Sequence, residues 1–176
     1  WIQVRIDIPP KTPARYVRVA NYAKEMFNLK VKKLTDKDIN EHDYGRKVFH
    51  LLNEAYSPIF GFTEMTDKQI DSFLKQYLAL IDKRLITVVE NEKDEVIGVV
   101  ITMYSLSQAM RKAKGKLFPF GWYHLLKALK WKHEDNAELL LIAVRPDYQM
   151  MGVNALFFDD LLPIYKELGI RWAETG

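Results

Sequence analysis

The chain has 176 residues, of which 48% are hydrophobic and 28% charged, with a formal net charge of +3 and no cysteine. That length supports one domain with a substantial core, and the lack of cysteine excludes a disulfide framework, a thiolate metal site and a cysteine nucleophile. A charge of +3 is too small to argue for nucleic acid, no apolar run approaches the roughly 18 residues of a membrane span, and His42, His50, His124 and His133 lack the spacing of a metal-ligand pair.

Trp1 to Ile8 alternates with period two and predicts a half-buried strand. Pro9-Pro10-Lys11-Thr12-Pro13 ends it and reads as a linker, with Thr12 as N-cap and Pro13 as first residue of a helix to about Phe27. Leu29 to Leu34 predicts a short strand. Asp36 to Tyr56 predicts mostly helix, with Phe49, Leu52, Ala55 and Tyr56 on one face. Thr66-x-x-Gln69 is a capping box for a helix through about Leu80. Leu85 to Glu90 is a strong strand, Asn91 to Asp94 a hairpin turn, and Glu95 to Tyr104 the return strand.

Residues 105–136 form a long insertion before the next strand, and such insertions are often lids or binding loops. Ser105 or Ser107 caps a short helix to Lys114. Leu117 to Trp122 is an aromatic loop, and Trp122 to Trp131 a second helix. Arg111, Lys112, Lys114 and Lys116 beside Phe118, Phe120 and Trp122 suit an anionic or aromatic ligand, or single-stranded nucleic acid. The plainer reading is a solvated helix face beside a packed loop.

The most informative stretch runs from Glu138 to Ile170. Leu139 to Val144 predicts a buried strand, Arg145-Pro146-Asp147-Tyr148 breaks it, and Gln149 to Asn154 opens a helix with Val153, Leu156, Phe157, Leu161 and Ile164 on its apolar face. Strand, glycine loop and helix present backbone N–H groups at a helix N-terminus, a place that favours phosphate. Phe157, Phe158 and Leu161 read as core. Asp159 and Asp160 read as helix surface, since adjacent helical side chains diverge.

Val144-Arg145-Pro146 followed by Gln149-x-x-Gly152-x-Asn154 resembles the acetyl-CoA-binding motif of the GNAT acyltransferase superfamily, a strand ending in V-x-P and then Q/R-x-x-G-x-G/A. Asn154 stands where that motif has Gly or Ala. The resemblance implies an α/β fold, a GNAT-like central mixed β-sheet flanked by helices, with the helical insertion between its third and fourth strands. It implies acetyl-CoA, or another acyl-CoA, as co-substrate. The thioester and pantetheine arm would lie on Ile142, Ala143 and Val144. The pyrophosphate would lie on Gln149, Met150, Met151, Gly152, Val153, Asn154 and Ala155. Glu138 lies 11 positions before Gln149, the offset of the catalytic glutamate in the histone-acetyltransferase branch, and becomes the candidate base, with Glu174 as the weaker alternative. No residue is assigned as general acid.

Residues 14–176 would be the GNAT-like domain, and residues 1–13 an extra edge strand and linker or, alternatively, the end of a preceding domain. The whole resembles the C-terminal half of a tandem GNAT-like bacterial protein. A start at Trp1 rather than Met suggests an internal fragment, and GNAT domains normally continue past the strand at 171–175, so a C-terminal part is expected to be missing. The leading expectation is a cytoplasmic, N-acetyltransferase-like enzyme that moves an acyl group, acetyl in the first place, from CoA to a small-molecule or peptide amine. It needs no membrane and no nucleic acid, and its oligomeric state is open. The alternatives are a non-catalytic acyl-CoA-binding or interaction module of the same fold, and an anion-binding domain that uses the basic insertion.

Overall fold

The computed structural model describes residues 4–77, 81–106 and 134–175. Six strands form one sheet in the order β1-β6-β5-β4-β3-β2. They are β1 Val4–Asp7, β2 Lys30–Lys32, β3 Ile86–Glu90, β4 Val96–Tyr104, β5 Asn136–Val144 and β6 Trp172–Thr175. The pair β5–β6 is parallel and the other neighbours are antiparallel.

The helices α1 (Ala14–Phe27) and α5 (Val153–Glu167) cover one face of the sheet, and α2 (Asp36–Asn40), α3 (Tyr44–Tyr56) and α4 (Asp67–Tyr77) lie on the other. On the first face the core gathers Ala20 and Ala23 of α1 with Val153, Leu156, Phe157 and Leu161 of α5. Gly98 of β4 lets α5 come close, since a Cβ there would lie 2.8 Å from Val153 Cγ1 and 3.0 Å from Phe157 Cζ. On the second face Val48, Phe49, Leu51 and Leu52 of α3 and Ile70 of α4 pack on Ile86, Val88, Val99 and Ile101.

Among the described residues the predicted elements are present, with local differences; β1 is exposed at every position rather than half-buried, because it is the edge strand and pairs only with β6. α1 starts at Ala14, and its N-cap is Pro13 at ψ 135° with no side-chain cap bond, so Thr12 does not cap it. The stretch 36–56 is two helices, because Asp43 takes φ 57° and turns the chain between them. Thr35 caps the first through a reciprocal box with Asp38. The Gln69 side-chain oxygen accepts from Thr66 N–H and Oγ1, both at 2.9 Å. The expected insertion helices, the basic–aromatic cluster, His124 and His133 lie outside the described residues, but the base of the insertion is closed. Ser105 N–H donates to Asn136 O at 3.0 Å, so β4 and β5 stay paired where the segment leaves and returns.

Candidate active site

The site begins with a counting irregularity in β5. From Gly98↔Val144 to Ile101↔Leu141 the register is regular; then Thr102 faces Leu139, so Leu140 and Leu141 together oppose Ile101. This is a β-bulge, which bends the strand and breaks its two-residue alternation. The packing shows the break. Ala137 and Leu139 lie against the α1–α5 cluster, and so do Ile142 and Val144. Leu141 and Ala143 lie against the α3–α4 cluster.

The same count fixes where the backbone groups of β5 point. Arg145 N–H donates to Ile97 O at 2.8 Å, so on the β4 side the bonding residues are Arg145, Ala143 and Leu141. Ile142 and Val144 therefore turn their N–H and C=O away from β4. Among the described residues, β6 pairs with β5 from Asn136 to Leu139. Side chains take the two carbonyls instead. Tyr56 Oη donates to Ile142 O at 2.7 Å, and Gln149 Nε2 donates to Val144 O at 3.3 Å. Burial raises the pKa of Tyr56 above the usual tyrosine value, which keeps it a donor at neutral pH.

Beside this edge lies a cleft of about 580 Å³, lined by Ile142, Ala143, Val144, Tyr148, Gln149, Met150, Gly152, Val153 and Asn154. All but Tyr148 are predicted cofactor-binding residues. Of the other two in that set, Ala155 packs into the core and Met151 is half-buried beside the loop. Gly152 is the N-cap of α5 at φ 81°. A Cβ on it would point at α1, 3.0 Å from Val19 Cγ1 and 3.4 Å from Ala23 Cβ, so the loop needs glycine for both its dihedral and its packing. A side chain at Gly152 would thus strain the helix junction rather than enter the cleft; exposed Asn154 is the residue whose side chain stands at the cleft wall. Ala155 N–H closes on Gly152 O at 2.9 Å, and a helix leaves the remaining first-turn N–H groups without intrahelical partners. No side chain caps this end.

The loop is braced from below. Arg145 bonds Asp147 at 2.8 and 3.0 Å and Glu95 at 3.2 Å. It lies 4.8 Å from the Tyr148 ring centroid, and Asn91 Nδ2 donates to Tyr148 Oη at 3.2 Å. The Asp147 contact, reinforced by Glu95, holds the Arg145 guanidinium firmly protonated.

Glu138 precedes the bulge. Ser105 Oγ donates to its Oε1 at 2.6 Å, and in the parallel register it neighbours Glu174 of β6, so the two candidate carboxylates sit side by side. Asp159 and Asp160 diverge as expected. Asp159 pairs with Lys24 at 3.3 Å, and Asp160 with Lys33 and the Thr87 hydroxyl, both at 2.5 Å. No acidic or histidine cluster able to hold a metal ion occurs among the described residues. Sequence reasoning placed Tyr56 on a helix face and passed over Tyr148. Tyr56 carries no local signal, because it acquires its role only from the distant strand β5, and Tyr148 is held by Arg145 and by Asn91 of the turn after β3.

This mixed sheet, with its bulged strand, edge cleft and strand–loop–helix junction, is the GNAT fold. A GCN5-related N-acetyltransferase from Sphaerobacter thermophilus matches it with a TM-score of 0.58 at 13% identity, over 99% of this chain and 41% of that one. A GNAT family acetyltransferase from Brucella melitensis, solved in complex with acetyl-CoA, matches with a TM-score of 0.51 at 14% identity, over 82% of this chain and 73% of that one. In sequence, the bacterial ceramide synthase of Caulobacter vibrioides is 36% identical over 99 residues, which is 56% of this chain and 26% of that protein. The chain thus spans about a quarter of that relative's length. No protein-family model matches the chain.

Proposed function

We propose that this chain is an acyl-CoA-dependent N-acyltransferase domain that moves the acyl group of a CoA thioester to an amine. The observation that carries the reading is the cleft where the edge of β5 that Ile142 and Val144 turn away from β4 meets the uncapped N-terminus of α5. The edge suits an arm of amide units lying as an added strand, and the helix end suits a pyrophosphate. The Brucella relative binds acetyl-CoA. The Caulobacter relative is named for ceramide formation, which is an N-acylation.

In this reading the amine nitrogen attacks the thioester carbonyl, Glu138 takes the proton that the nitrogen sheds, and the C–S bond breaks to release the CoA thiolate. Glu174 is the alternative base. The backbone N–H of Ile142, turned away from β4, polarises the carbonyl. Gln149, Met150, Gly152, Val153 and Asn154 hold the pyrophosphate, with Met151 and Ala155 completing the turn. Residues 14–176 would be the acyltransferase domain and residues 1–13 an added strand and linker. Among the described residues, no helix is long and apolar enough to cross a membrane, and a CoA thioester argues for the cytoplasm.

The second reading is an acyl-CoA-binding module without turnover. The contact that favours it is the Ser105 hydroxyl on the Glu138 carboxylate at 2.6 Å, which engages the proposed base. Calorimetric titration with acetyl-CoA and CoA tests the cleft. Amine-dependent release of free CoA, across a panel that includes long-chain amino alcohols, separates the enzyme from the module. Absence of CoA binding would sink both readings.

A further inference from the structure

A second cavity, of about 60 Å³, lies between α3, α4 and the sheet. Every residue that lines it is apolar, among them Val48 and Phe49 of α3, Leu74 of α4, Ile101 of β4, and both Leu140 and Leu141 of β5. Space lined only by carbon has no partner for water, and a void in a close-packed core forfeits contacts. Such space suits an apolar guest.

The bulge lies between this cavity and the cleft, since Leu140 and Leu141 line the one and Ile142, Ala143 and Val144 the other. The arm of CoA runs about twelve chain atoms from phosphate to sulfur, the length of about four residues of extended backbone. Laid along the edge of β5 from the α5 N-terminus at Val144, it ends at Leu140. Leu140 and Leu141 both line the cavity because the bulge breaks the alternation between them. Leu140 is 41% exposed and Leu141 half-buried, so the opening is at Leu140. Whatever is attached to the sulfur arrives there.

We propose that this cavity is the acyl-chain pocket, and that the group carried on CoA is a straight chain of about four to six carbons, since about 60 Å³ holds about that many probe-sized groups. The inference rests on the reading of the cleft as a CoA site. Glu138, two residues before Leu140, stays at the polar end of the thioester while the alkyl tail leaves it.

The test is a calorimetric series on the whole chain with CoA, acetyl-, butyryl-, hexanoyl-, decanoyl- and palmitoyl-CoA, which needs no acceptor. Each methylene buried in the pocket should tighten binding about fourfold, so affinity should climb from acetyl to hexanoyl and then level or fall. Val48→Phe fills the cavity and should bring hexanoyl-CoA to near parity with acetyl-CoA. Leu74→Ala, at the partly exposed rim, enlarges it and should move the optimum towards decanoyl; this variant keeps the test alive if Val48→Phe fails to fold. A flat series with normal CoA binding, or an unmoved optimum in folded Leu74→Ala, would overturn the pocket and leave the cleft reading intact. No binding of CoA or of any thioester would remove both.

Discussion

On one face of the sheet, Val153 and Phe157 of α5 press so closely on β4 that Gly98 has no room for a Cβ. On the other, Val48, Phe49 and Leu74 leave about 60 Å³ unfilled against the neighbouring strands. Both faces are built from the same aliphatic and aromatic residue types, so composition does not distinguish them. The difference lies in what each face is packed against. The α1–α5 side is closed on the strands and sets the strand–loop–helix junction at Gly152. The α3–α4 side leaves a space that Leu140 and Leu141 of the bulge help to line.

The contrast can be broken most forcefully on the closed side. Phe157→Ala should cost about 3–5 kcal/mol in denaturant unfolding, because Phe157 is 1% exposed amid α1, β3 and β4; a cost under about 1 kcal/mol would show that this face is no tighter than the other. On the reactive side, Glu138→Gln should lower turnover by on the order of 10²-fold with acetyl-CoA affinity nearly unchanged. Wild-type turnover at all pH values would pass the role to Glu174. Gly98→Ala should destabilise by about 1–3 kcal/mol through overpacking, read from the same unfolding curves. Asn154→Glu sets a negative charge at the cleft wall and should weaken CoA binding about tenfold or more with the melting temperature unchanged; unaltered affinity would argue against the pyrophosphate site.

The smallest effect belongs to the polar edge of the α3–α4 side. Lys32 at 2.9 Å, followed by the Thr35 hydroxyl and N–H, holds the Asp38 carboxyl below the ordinary carboxylate range. A depressed folded value means that the stabilisation is present above the unfolded pKa of about 3.9 and is lost as the pH falls. Lys32→Met should therefore shift the acid-unfolding midpoint upwards by a few tenths of a pH unit. The shift is small because the Lys32 side chain is 35% exposed and its charge is screened.

Much of this was legible in the sequence. The β-branched run at Ile86–Val89, the turn at Asn91–Asp94 and the Val144-to-Asn154 motif are local patterns, and they marked the strands, the hairpin and the cleft wall. The division of residues 36–56 was hidden because Asp43 is tolerated within a helical pattern, and only its positive φ turns the chain. The bulge was hidden for a different reason. Leu139-Leu140-Leu141-Ile142-Ala143-Val144 is apolar at every position, so no period-two signal marks which face each residue takes, and register is a relation between two strands that neither states alone. The direction of Gly152 was also out of reach, since it depends on Val19, far away in the chain.

That unbroken apolar run leaves the protein with an uneven exposure to mutation. A point substitution among these residues changes one contact. Loss of a single codon at Leu140 or Leu141 would instead restore strict alternation between β4 and β5. It would rejoin the strand to a straight ladder and erase the mouth of the cavity and the bend beside the cleft together, while every position on both faces stayed hydrophobic. The fold would tolerate such an event far better than the site would. By the same count, one inserted codon in an ordinary strand is enough to open a place for a ligand in a sheet that had none.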